Sequence, residues 1–263
     1  MMMDEEFKRL AQEIVKKIDR KLRSSIKKDF VKLGRSVGLG ADGTTTKYID
    51  KIAEDVAIKT IKKSGDSVNL LSEEVGFIDN HAKYTFILDP VDGTRNAFRG
   101  IPFFSVSLAI GKKSLHDVSY GIVKNVSTGD VFLAEKQHGA YLNNNRIIIP
   151  NVFAPEPLVS VSIGKNKGLV PEEILKDHVI RCYGSASLEM CLVAIGGLDG
   201  YVVHRPYLRV TDIAAATLVV RESGGFVSDS WGKPLNMPLN LDERCGVIAA
   251  GNKDFIEKVR RID

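Results

Sequence analysis

Residues 84–98 read Tyr-Thr-Phe-Ile-Leu-Asp-Pro-Val-Asp-Gly-Thr-Arg-Asn-Ala-Phe. The run from Tyr84 to Leu88 reads as a strand, and Asp89-Pro90 is expected to stop it. Asp89 then leaves the strand, Pro90 forces a turn, and Asp92 points back to the same place. Two carboxylates that close repel each other unless a cation sits between them. Gly93-Thr94 is expected to open a helical turn whose first amides suit a phosphate, with glycine allowing close approach. Carboxylates for a divalent cation beside amides for a phosphate make a metal-assisted phosphate site. A polar turn that merely contains two aspartates is the competing reading of so short a motif.

Upstream of this stretch the pattern is helical. Phe7, Leu10, Ala11, Ile14, Val15, Ile18 and Leu22 form a stripe along residues 4–27. Asp42-Gly43 is a turn signal, and the Thr44-Thr45-Thr46 run is expected to cap a second helix over 45–63. Downstream, Phe104–Ile110 and the segments 117–124, 130–135 and 139–149 read as an antiparallel meander. Asn143-Asn144-Asn145 is its hairpin turn. Pro150–Pro157 is a candidate junction between an N-terminal part (1–150) and a C-terminal α/β part (151–263). Beyond it, Leu158–Ile163, Tyr201–Val203 and Val247–Ala250 read as strands. Residues 171–177, 185–196, Thr211–Ser223 and about 253–261 read as helices. Helices layered on sheets, an α/β (α+β) sandwich, fit this alternation.

Composition narrows the function classes. A chain of 263 residues with 44% apolar content can build a full core and is not disordered. A net charge of +4 is too small for a dedicated nucleic-acid binder. No apolar run of about 18 residues is present, so no membrane span is expected, and the charged start MMMDEEFKRL lacks a signal-peptide core. Three cysteines without CxxC spacing suit a reducing cytoplasm better than disulfides or a zinc knuckle.

Three further acidic positions stand out. Glu73-Glu74 follow the apolar Leu70-Leu71, although two solvated loop glutamates would look the same. Asp212 opens the helix 211–223, where a first-turn aspartate ordinarily serves the helix dipole. Thr211 already offers a cap, which leaves Asp212 open to another task. Asp50 falls between Ala57 and Ile61 on the flank of its helix's apolar face, where an unpaired carboxylate is costly. A salt bridge to Lys47 or Lys51 and a place in a site wall are equally open.

Taken together, FILDPVDGTRNAF (86–98), LRVTDIAAATLVVRESGG (208–225) and Ser72-Glu73-Glu74-Val75-Gly76 resemble the inositol monophosphatase-like family of magnesium-dependent phosphatases. The likeness runs from the first helix to the last strand. It is strongest to the archaeal-type members that hydrolyse both fructose 1,6-bisphosphate and inositol monophosphate. The resemblance implies an αβαβα layered sandwich and a homodimer. It implies two or three Mg²⁺ per site, replaceable by Mn²⁺, and a small phosphorylated sugar or cyclitol as substrate. Residue by residue, it implies that Glu73, Asp89 and the Val91 carbonyl hold one metal, and Asp89, Asp92 and Asp212 a second. A third would share Glu73. Thr94 and Asp50 would orient the attacking water, with Glu74 behind them. Asp92, Gly93, Thr94 and Arg95 would meet the phosphate, and Arg181, Ala186 and Arg205 the rest of the substrate.

One position departs from the pattern. Inositol-preferring members carry a glutamate seven residues before the last metal aspartate, and here Arg205 stands there. A guanidinium suits a second anionic group, since arginine grips phosphate bidentately; pairing with a surface carboxylate is the plainer role. Two alternatives accompany this reading. One is a related phosphatase acting on 3′-phosphoadenosine 5′-phosphate or NADP. The other is a non-catalytic metabolite-binding relative, which predicts an eroded acidic set.

Overall fold

The computed structural model describes residues 4–150, 156–163 and 172–261. The expected junction at Pro150–Pro157 falls mostly on 151–155, outside the described residues. The chain begins with α1 (Glu5–Ile26), whose stripe from Leu10 to Leu22 is buried as its period requires. A one-turn helix α2 (Phe30–Leu33) leads into a two-stranded ribbon, β1 (Ser36–Leu39) and β2 (Thr45–Lys47), and then α3 (Tyr48–Ser64). The threonine run therefore does not cap a helix. Its β-branched residues form β2. The cap position falls to Lys47, whose amide donates to the Asp50 carboxylate at 3.2 Å.

The large sheet follows in chain order as β3 (Asn69–Ser72), β4 (Gly76–Ile78), β5 (Thr85–Asp92), β6 (Ser105–Gly111), β7 (Tyr120–Asn125), β8 (Val131–Glu135), β9 (Gly139–Leu142) and β10 (Asn145–Ile147). Its order is β10-β9-β8-β7-β6-β5-β3-β4. All neighbours are antiparallel except β3 and β5. The β9–β10 turn places Asn143 and Asn144 at φ 50° and 69°, the left-handed region that asparagine tolerates. Asp89-Pro90 does not stop β5. The strand runs on to Asp92 through a bulge, with Asp89 opposite Ser107 and Asp92 opposite Ser105. A bulge absorbs proline's missing N–H and re-aims side chains, so both aspartates stay on the sheet. The short helix α4 (Thr94–Arg99) starts directly after it, with Gly93 at φ 88°.

The remaining elements are β11 (Leu158–Val161), α5 (Glu172–Asp177), β12 (Val179–Arg181), α6 (Ala186–Ala194), β13 (Gly200–Leu208), α7 (Val210–Glu222), β14 (Phe226–Ser228), β15 (Cys245–Ala250) and α8 (Lys253–Val259). The five strands form a second sheet, β12-β11-β13-β15-β14. The sequence pattern misses β12 and β14 and shortens β13, which continues past Val203 through an irregular register to Leu208.

Three apolar clusters fix the layers. Ile14 and Ile18 of α1 and Ile49 and Ala53 of α3 pack on Phe86, Leu88 and Leu108 of the large sheet. The opposite face of that sheet, with Leu71 and Ile87, shares a cluster with α6, α7 and Tyr201 and Val247 of the small sheet. Phe255 and Ile256 of α8 cover Val202 and Ile248 on the far side. The result is the expected αβαβα sandwich. Because α7 lies between two sheets, it is buried continuously from Val210 to Val220 and has no polar face.

A carboxylate cluster closed by a guanidinium

Two sheets and α7 meet where β3 ends, β5 bulges and α7 begins. There, carboxylate oxygens of Glu73, Asp89 and Asp212 lie within 4.8 Å of one another. Asp89 is 2% exposed and its carboxylate accepts the Val91 amide at 3.0 Å, a bond the bulge creates. Burial first, then the charges of Asp92, Glu73 and Asp212, push the Asp89 carboxyl well above its usual range. Burial raises Glu73 to about 7, with Arg209 opposing. Such a group is compatible with folding only when it holds protons or a cation. Oxygen ligands in this number suit a hard divalent cation.

Asp92 is placed differently. Its Oδ2 accepts Ser185 Oγ (2.6 Å), the Ser187 amide (2.8 Å) and Ser187 Oγ (2.5 Å). Among the described residues its Oδ1 accepts only the Ala186 amide, at 3.2 Å. The start of α6 thus takes up most of this carboxylate, and Asp92 stands beside the three-carboxylate group rather than in it. Farther along α6, fully buried Glu189 accepts the amides of Tyr183 (2.9 Å) and Ser185 (3.2 Å) and the Ser160 hydroxyl.

Asp50, buried on α3, accepts Thr94 Oγ1 at 3.0 Å, and the same hydroxyl lies 2.9 Å from the Val91 carbonyl. One hydroxyl proton cannot serve two acceptors. Burial, with the charges of Glu73 and Glu74, raises the Asp50 carboxyl to about 8. A protonated Asp50 resolves the conflict: it donates to Thr94, which donates to Val91. Glu74 accepts the Thr46 hydroxyl. Neither Lys47 nor Lys51 forms an ion pair with Asp50 among the described residues; the Lys47 side chain reaches Ser36 instead.

The cation that fills the cluster was not among the expected site residues. Arg209, at the N-cap of α7, sends Nη2 to Asp212 Oδ1 (2.8 Å) and Nη1 to Asp42 Oδ2 (2.8 Å), and pairs with Glu73 as well. Its backbone amide also donates to Asp212 Oδ2 at 2.8 Å. Asp212 therefore caps its own helix, while Thr211 Oγ1 is buried without a hydrogen-bond partner among the described residues. That reverses the division of labour expected from the sequence. A carboxylate three residues after the arginine was the available signal; Asp42 had none beyond its turn. The Asp42 carboxylate is 1% exposed and also accepts the Thr44 amide and hydroxyl, both at 2.8 Å. Gly40 lets the loop between β1 and β2 come this close: a Cβ there would lie 2.7 Å from a Glu74 oxygen.

Arg95, Arg181 and Arg205 are exposed. Arg181 donates to the neighbouring Ile180 carbonyl at 2.9 Å, and none of the three forms an ion pair among the described residues. Ala186 does reach the site, through its amide on Asp92.

Two outcomes follow from the electrostatics. The raised carboxyls mean that the folded, metal-free chain holds protons which the unfolded chain releases, between about pH 4 and pH 8. Stability is then fullest below the unfolded values and falls as pH rises through the folded ones. Calorimetry in EDTA should show the melting temperature dropping from pH 5 to pH 8. Magnesium titrated in at pH 7 should release protons, and a flat EDTA profile would count against the shifts. Arg209→Met should cost the metal-free protein about 3 kcal/mol at pH 8, because it strands three carboxylates. Mg²⁺ should recover more of the melting temperature in this variant than in the parent.

The chain matches the inositol monophosphatase family over residues 3–262. It belongs to that family. A fructose-1,6-bisphosphatase/inositol-1-monophosphatase of Thermococcus kodakarensis is 38% identical over 87% of this chain and 86% of its own length. A bifunctional NADP phosphatase/NAD kinase of Methanocaldococcus jannaschii is 35% identical over 98% of this chain, which spans 50% of that longer protein. Among solved structures, a Pyrococcus horikoshii protein described as similar to inositol-1 monophosphatase superposes with a TM-score of 0.84. Its identity is 31%, with 96% of each chain covered. Inositol monophosphatase family members are typically metal-dependent, and the buried carboxylate group is the feature of this chain that such a dependence requires.

Proposed function

We infer that the chain is a metal-dependent phosphoric monoester hydrolase acting on fructose 1,6-bisphosphate and inositol 1-phosphate. The observation that carries this is the convergence of Glu73, Asp89 and Asp212 in a chain of this family. Those three residues, with Asp92 Oδ1 and the Val91 carbonyl, would hold two or three Mg²⁺, or Mn²⁺ in their place. Bound metal supplies charge neutralisation for the phosphate and lowers the pKa of a water. Thr94 Oγ1 orients that water, and Asp50 behind it would accept the proton passed through the hydroxyl once a bound cation offsets the Glu73 and Glu74 charges that keep it protonated in the metal-free chain. Glu74, held by Thr46, keeps Glu73 and the loop at 40–44 in register. The first amides of α4, at Gly93 and Thr94, have no partner within the helix and face the phosphate, with Arg95 alongside. No covalent nucleophile is invoked, and Cys182, Cys191 and Cys245 are all free thiols.

Phosphate release with Mg²⁺ from fructose 1,6-bisphosphate, inositol 1-phosphate and NADP, side by side, tests this reading. NADP belongs in the panel because of the Methanocaldococcus relative, and turnover of NADP alone would replace the sugar and cyclitol substrates. Arg181, Ala186 and Arg205 are proposed to meet the part of the substrate that does not react. A charge-assisted contact is worth about 1.5–3 kcal/mol, roughly ten- to a hundredfold. Arg205→Ala should lower kcat/KM for fructose 1,6-bisphosphate by that factor and spare inositol 1-phosphate. Equal losses on both would assign Arg205 to structure or to the shared phosphate.

We place the enzyme in the cytoplasm as a homodimer. Free cysteines support the first, as does the lack of a helix long and apolar enough to cross a membrane among the described residues. Exposed Val31, Leu39 and Phe77 support the second.

A further inference from the structure

At the other end of α7, two adjoining cavities of 340 and 490 Å³ share His116 and Arg221 as walls. Arg221 sits in the last turn of the helix, partly buried. Its Nη2 donates to the Leu235 carbonyl at 2.8 Å, and no carboxylate among the described residues pairs with it. A guanidinium does not give up its proton in a protein, so burial without a counter-ion leaves a charge uncompensated. Two acids also line the cavities, Glu222 the smaller and Glu257 the larger, and both are engaged by other donors. Glu222 accepts the amides of Gln137 (2.9 Å) and Gly139 (3.0 Å), and Glu257 pairs with Arg260 at 2.8 Å. Two exposed ammonium groups add to the charge. Lys136 borders the smaller cavity; Lys253 borders the larger, its Nζ 5.3 Å above the Phe226 ring. Phe226 and Ile256 make part of the larger cavity apolar.

We propose that this paired cavity binds a small phosphate monoester with an apolar or aromatic body, its phosphate on Arg221 between the two lysines and its body against Phe226. The pairing follows from charge and shape. A planar fork of donors matches phosphate oxygens bidentately, and a cleft that is basic at its mouth and apolar within suits such a ligand. The site is separate from the carboxylate cluster: nine residues of α7 put Arg221 about 14 Å along the axis from Asp212.

Calorimetric titration of the full-length protein in EDTA with phenylphosphonate, an aromatic phosphate analogue that cannot be hydrolysed, tests the proposal. EDTA removes the metal through which the carboxylate cluster would hold a phosphate, so saturable heat that depends on Arg221 reports the second site. Arg221→Gln should weaken binding at least about tenfold. Lys136→Gln with Lys253→Gln, both surface changes, should weaken it severalfold. In the absence of phosphonate, Arg221→Gln should melt no lower than the parent, because it removes an unpaired charge and keeps a donor for Leu235. Absence of saturable heat, or binding that ignores both variants, overturns the proposal. A lowered melting temperature for Arg221→Gln, with the lysine variant binding like the parent, makes Arg221 structural. A parent dimer that dissociates in Arg221→Gln during sedimentation makes the cavity a contact between copies, which also overturns it.

Discussion

Exhaustive chelation with EDTA should abolish phosphate release, and Mg²⁺ should restore it. The expectation rests on Asp89, Glu73 and Asp212, whose oxygens are drawn together where water cannot screen them. In the metal-free chain, protons and Arg209 hold them. Neither can activate a water for attack on phosphorus. The loss should therefore be of the whole catalysed rate, and full turnover after chelation would remove the metal from the proposed reaction. The protein should remain folded in EDTA, since three apolar clusters do not depend on the site.

The second large effect comes from two aspartates that the sequence presents as a pair and the structure separates. Asp89→Asn should lower turnover by at least two to three orders of magnitude, about 3–4 kcal/mol of transition-state stabilisation. It should also raise the melting temperature of the metal-free protein, because it removes a buried carboxylate that its neighbours repel. Asp92→Asn should lose activity on the same scale but melt lower. Its carboxylate accepts four donors from the start of α6, and an amide there sets an N–H against at least one of them. A buried donor left unsatisfied costs about 1–3 kcal/mol. Phosphate release and calorimetry in EDTA read both properties. The same sign of melting shift in both variants would mean that Asp92 is not built into α6.

Much of the architecture was legible because periodicity survives folding. The stripe of α1 and the alternation of the meander follow from what must be buried. Asn143 and Asn144 mark a turn because few other residues accept positive φ. Local punctuation misled where tertiary structure overrode it. Asp89-Pro90 resembles a stop, yet a bulge against Val106 carries β5 through it. The threonines before α3 resemble a cap but pair with β1. The acidic residues were visible as misplaced charges, and the geometry gathers three of them. Arg209 carried only one weak local signal, the carboxylate three residues on, since an arginine among Leu208, Val210 and Thr211 otherwise has no distinctive pattern. Its meaning comes from Asp42 and Glu73, which only the folded chain brings near.

The cluster takes its oxygens from the end of β3, the bulge of β5 and the first turn of α7, so a bound dication would act as a removable cross-link between elements distant along the chain. Ligation of this kind deepens the native basin by mass action, about 2.7 kcal/mol when free metal is a hundred times its Kd. Only openings that detach α7 or tear the bulge would release the ion. Magnesium supply would therefore set how often this buried helix exposes its amides to exchange, while leaving the fraying of α1 and α8 untouched.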